Sequence, residues 1–94
     1  MLTVKILSYK RPQRYAVRQT LLAARNVLRK AYPDFDFETV QVKTIDEMEQ
    51  YTPVLILPSL VVNEKLVCVG RFPKKDEVVQ WLQEALNLLE NSAL

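Results

Sequence analysis

The sequence predicts an α/β domain: a four-stranded mixed sheet with helices on both faces, its elements running β-α-β-α-β-β-α. Three observations predict it. Short runs alternate between apolar and polar residues, as strands covered mainly on one face do. Two long segments repeat their apolar residues at steps of three and four, as amphipathic helices do. Two apolar runs flank Asn63-Glu64, the spacing of a tight hairpin.

From Leu2 to Ser8, the apolar Leu2, Val4 and Ile6 share one side and Leu7 joins from the other, which predicts a strand. Lys10-Arg11-Pro12-Gln13 breaks it. Pro12 suits the first turn of a helix, where a missing amide hydrogen costs least. From Gln13 to Tyr32 the residues Val17, Leu21, Ala24, Leu28 and Ala31 form one helical stripe, ending before Pro33. Phe35, Phe37, Thr39 and Gln41 alternate with Asp36, Glu38, Val40 and Val42, predicting a second strand. Thr44-Ile45-Asp46-Glu47 fits a capping box and opens a short helix to Tyr51. Val54 to Leu57 and then Leu60 to Val62 are apolar on both sides, as in a strand covered on both sheet faces, and the hairpin returns through Leu66 to Val69. Gly70 to Lys75 connects to a last helix, Asp76 to Leu89, with Val78, Leu82, Ala85 and Leu89 along its stripe. Residues 90–94 are expected to fray.

With 94 residues, 49% hydrophobic and 26% charged, the chain reads as a single domain over 1–94. One cysteine cannot form an internal disulfide, and without histidine there is no histidine-based zinc site or catalytic dyad. A single glycine rules out the glycine-rich loops that cradle nucleotide phosphates. No stretch approaches the ~20 apolar residues of a membrane span, and charge at Lys5 and Lys10 interrupts any signal-like run. The expectation is a soluble cytoplasmic protein without cofactor or metal.

The order of elements, together with Leu57-Pro58-Ser59-Leu60-Val61-Val62-Asn63-Glu64 and Val69-Gly70-Arg71-Phe72, resembles the small thioredoxin- and glutaredoxin-like proteins over nearly the whole chain. The resemblance implies a thioredoxin-like fold, with a cis proline at Pro58 opening the third strand. It also implies that the Pro58 loop faces the amino end of the first helix and that Gly70 lies nearby. The family's redox chemistry uses a Cys-x-x-Cys at the start of that helix, where the helix dipole lowers the attacking thiol's pKa. Here the region reads Lys10-Arg11-Pro12-Gln13-Arg14-Tyr15-Ala16, and Gln13 and Ala16 fall near the two cysteine positions. Neither can attack or form a disulfide, so dithiol-disulfide exchange is not expected.

Charge is segregated along the chain. Residues 1–32 hold eight bases and no acid, whereas residues 33–52 hold six acids and only Lys43. At about 100° per residue, Arg14, Arg18, Arg25 and Arg29 form a ridge beside the first helix's apolar stripe. It reads as a solvated edge or as a contact for phosphate or an acidic protein, and no base-stacking motif accompanies it to favour nucleic acid. In the thioredoxin-like arrangement, Lys10, Arg11 and Arg14 would meet Pro58 and Arg71, with Lys74 and Lys75 close by and Tyr9 and Tyr15 lining the cleft. That basic cleft is a natural site for a carboxylate or phosphate. Cys68, mid-strand between Val67 and Val69, reads as core filler, and a reactive thiol there would need exposure and a cation such as Arg71. Val79, Trp81, Leu86 and Leu88 widen the last helix's apolar face, either to pack under the tail and loops or to form a dimer surface.

These readings converge on a noncatalytic binding or adaptor module holding an acidic peptide or small anion at Lys10, Arg11, Arg14, Pro58 and Arg71. A monothiol redox protein using Cys68 is the enzymatic alternative, and nucleic-acid binding through the arginine ridge is a third.

Overall fold

The computed structural model of the chain describes residues 2–8, 10–52 and 57–92. The elements are β1 (Leu2–Leu7), α1 (Arg11–Leu28), β2 (Phe37–Val42), α2 (Ile45–Met48), β3 (Ser59–Val62), β4 (Lys65–Val69) and α3 (Lys75–Ser92). One four-stranded sheet runs β2-β1-β3-β4. β1 pairs parallel with β2, Leu2 opposite Phe37 and Leu7 opposite Val42, and antiparallel with β3, Val4 opposite Val62. β3 and β4 form the antiparallel hairpin, with a register shift between Leu60 and Val61. The sheet is mixed, as the sequence predicts.

Period-two alternation in β1 sorts its side chains between two cores. Leu2, Val4 and Ile6 join Val17, Leu21, Ala24 and Leu28 of α1, and Val78, Leu82 and Ala85 of α3, in the larger core. Leu7 turns to the opposite face and meets Val42, Val61 and Met48 in the smaller one. The two long helices therefore cover one face and the single turn of α2 the other.

The element boundaries shift for local reasons. α1 begins at Arg11 rather than Gln13, because Pro12 sits inside its first turn and Lys10, in extended conformation, serves as N-cap. It ends at Leu28 rather than Tyr32. Ala31 and Tyr32 both donate to the Leu28 carbonyl, at 3.1 and 2.9 Å, which winds the chain into turns before Pro33. β2 begins at Phe37, the partner of Leu2 at the start of β1, and the Asp36 carboxylate accepts from the Phe37 amide at 2.8 Å. At α2 the Thr44 hydroxyl accepts from the Glu47 amide at 3.4 Å, which is one half of the expected capping box. Asn63 and Glu64 have φ of 50° and 67°, the two left-handed residues of a tight hairpin turn. The strand expected at Val54 to Leu57 falls largely on residues 53–56, which lie outside the described residues.

Lys5 closes the smaller core. Its ammonium stands 4.7 Å from the Tyr51 ring centroid, donates to the Tyr51 hydroxyl and pairs with Glu64 at 2.8 Å. The Glu64 and Tyr51 bonds hold the lysine pKa above its ordinary value.

Candidate functional site

The elbow between β1 and α1 is organised by Ser8, which is fully buried. Its hydroxyl donates to Gln13 Oε1 at 2.6 Å and accepts from the Lys10 amide at 3.1 Å. The Ser8 carbonyl accepts from Arg14 Nη1 at 3.1 Å. Gln13 thus ties the elbow to the first turn of α1.

Beyond the elbow, the first half of α1 faces the end of β2 across an open cavity of about 450 Å³, lined by Arg11, Arg14, Tyr15, Arg18, Gln41 and Lys43. Four of these six side chains are cationic and none is acidic. Arg11, Arg14 and Arg18 share one side of α1 because their spacings of three and four return to the same face. Gln41 reaches the same space because it follows Phe37 and Thr39 along the α1 side of β2. Arg14 also carries a buried Nε–H without an acceptor among the described residues.

The structure divides the other predicted site residues. Pro58 follows a cis peptide bond, and its carbonyl accepts from the Gly70 amide at 2.9 Å, so the loop before β3 is tied to the glycine after β4. Arg71, beside Gly70, does not line the basic cavity. Its guanidinium forks onto the Glu77 carboxylate with two bonds of 2.7 Å, and Glu77 also accepts from the Lys74 amide at 3.1 Å. The Arg71 bonds, aided by that amide, hold the Glu77 pKa down at about 2. Lys10 is exposed and contributes its backbone to the elbow. Tyr15 is 64% exposed at the cavity rim. Tyr9 lies outside the described residues.

The arginine ridge splits in two. Arg25 and Arg29 lie 3.4 and 3.5 Å from the Asp36 carboxylate, and Arg29 Nε donates to the Phe35 carbonyl at 2.8 Å. Those two bind the acidic approach to β2, while Arg14 and Arg18 open on the cavity. Sequence reasoning missed Gln41 and Lys43. Lys43 is the only base among residues 33–52, but its place beside α1 depends on strand order.

Cys68 is 3% exposed and belongs to the larger core. Burial pushes its thiol pKa up, more strongly than Arg71 draws it down. The Sγ donates to the Arg71 carbonyl at 3.4 Å. A nucleophilic thiolate is disfavoured on both counts. Val79, Trp81 and Leu86 pack against the larger core from partly buried positions, whereas Leu88 is 60% exposed beside Trp81. No helix among the described residues is long and apolar enough to cross a membrane, and no group of three or more His, Cys, Asp or Glu among them could hold a metal.

No curated protein matches the chain. A family model described as a thioredoxin domain matches residues 4–83, from β1 into α3. The matched span takes in β1 from Val4 onward, the other three strands, the cis-proline loop and the cysteine-free start of α1, and the chain belongs to the thioredoxin-domain family.

Proposed function

We propose that the protein is a noncatalytic binding module that holds an anionic ligand, an acidic peptide or a small polycarboxylate or phosphate, in the cavity of Arg11, Arg14, Arg18 and Lys43. The observation that carries the reading is the concentration of four cations, without a counter-acid, around one open space.

The energetics of α1 support it. A helix amino terminus is the positive end of the backbone dipole and favours acids in its first turn. Here the first turn has no acid, and Arg11 and Arg14 stand there instead. That arrangement works against the helix by itself and in favour of an anion placed before it. Planar guanidinium groups suit carboxylate and phosphate through paired hydrogen bonds.

Calorimetric titration with citrate and with an acidic peptide tests the reading. Binding that weakens as salt screens the charges, and that is lost in Arg11→Glu/Arg18→Glu, is the expected result. Binding unchanged in that variant rejects it.

A further inference from the structure

We propose that the ligand of this cavity is an acidic peptide in extended conformation, which adds as a fifth strand to the free edge of β2. The proposal rests on the anion-binding reading above and specifies how the anion is presented.

β2 is an edge strand: it pairs with β1 on one side, and no described strand pairs with the other. In a parallel pair, a residue's amide and carbonyl point to the same side, and successive residues alternate. The Val42 carbonyl accepts from the Ser8 amide at 3.2 Å, which orients Val42, and with it Val40 and Glu38, toward β1. Phe37, Thr39 and Gln41 therefore present their backbone groups to the open edge. The Phe37 amide is already taken by Asp36, at 2.8 Å. Thr39 and Gln41 remain as a short ladder ready for another strand, and Gln41 itself lines the basic cavity. Main-chain bonds to a free sheet edge are a general means of holding extended peptides, with alternate side chains giving specificity.

The side chains of an added strand would alternate across the sheet as those of β2 do. On the α1 side they meet Arg11, Arg14, Arg18 and Lys43, which calls for Asp or Glu at every second position. On the opposite side they lie beside the half-buried Val40, which packs on the smaller core and calls for apolar residues between the acids. The recognised pattern is acid-apolar-acid-apolar. It also explains a charge placement the fold does not require, since the cations cluster at the edge where a strand can be added.

The test uses the full chain and a capped peptide of about six residues alternating Glu and Val, its isomer with the three Glu and three Val in blocks, and citrate. Amide hydrogen exchange is followed at Thr39 and Gln41. The expected result is that the alternating peptide binds more tightly than the block isomer and slows exchange at both amides by about tenfold or more. N-methylation of alternate peptide amides, in the register that faces β2, should abolish binding, and in the other register should leave it intact. Peptide binding without slower exchange at Thr39 and Gln41, or equal binding of the block isomer, overturns strand addition while the anion site stands. Citrate binding without peptide binding overturns it in the same way. Failure of every probe to bind removes the anion-binding reading as well.

Discussion

Arg71 and Glu77 meet in a two-bond fork, each bond 2.7 Å, that ties the segment after β4 to the first turn of α3. The pair sets a pH dependence whose sign is fixed. The Glu77 pKa is depressed from 4.5 to about 2 in the folded chain, so its contribution to stability is present above the ordinary carboxylate range and is lost as pH falls toward about 2. Urea midpoints measured down through this range should fall less steeply in Glu77→Gln than in the parent. Parallel slopes would show that the fork makes no difference to folding.

Replacing Arg11 should separate stability from binding. Arg11→Glu puts an acid at the amino end of α1 and removes one of the cavity's cations. The helix should gain about 0.5 kcal/mol from its dipole, read as a raised urea midpoint, while anion binding is lost. Loss of stability in this variant would contradict the account of α1 as a helix that tolerates an unfavourable charge for its ligand.

The two halves of the arginine ridge should respond differently. Arg29→Ala removes the contacts to Asp36 and the Phe35 carbonyl and should lower the urea midpoint without altering citrate binding. Arg18→Ala should do the reverse. Swapped phenotypes would place the anion site at the other end of α1.

Leu21 is fully buried at the centre of the larger core. Leu21→Ala should cost about 3 kcal/mol, because the cavity it leaves is walled by two helices and a sheet that cannot close on it. Chemical denaturation measures the loss directly, and a cost below about 1 kcal/mol would mean that the core relaxes around the gap.

Cys68 should react with a thiol reagent at least about a hundredfold more slowly in the native protein than in the unfolded chain, since the reagent must wait for local opening. A fast native rate would show an accessible thiol and revive the monothiol alternative.

Much of this architecture could be read from residue order. Val17, Leu21, Ala24 and Leu28 mark α1 by spacing alone, and Leu7 opposing Leu2, Val4 and Ile6 already announces two cores. Local periodicity carries such facts because the contacts repeat within one element. Part of the site was legible for the same reason, as Arg11, Arg14 and Arg18 follow helical spacing. Gln41 and Lys43 were not, because they reach the cavity only through the placing of β2 outside β1, which neighbouring residues do not encode. The Arg71–Glu77 and Arg29–Asp36 pairs escaped for a related reason. Each spans a loop whose path depends on the completed fold, and this draws Arg71 away from the group of cations to which its charge alone would assign it.

The sheet order has a consequence for how the protein is made. β1 stands between β2 and β3, yet it precedes both along the chain. During synthesis the β1-α1-β2 segment emerges first, and it holds the partner for only one flank of β1. Only when the β3-β4 hairpin leaves the ribosome is that flank covered, from Val4 opposite Val62 to Leu7 opposite Ser59. The hairpin, last of the strands in chain order, thus supplies the second partner that turns β1 from an edge into an interior strand.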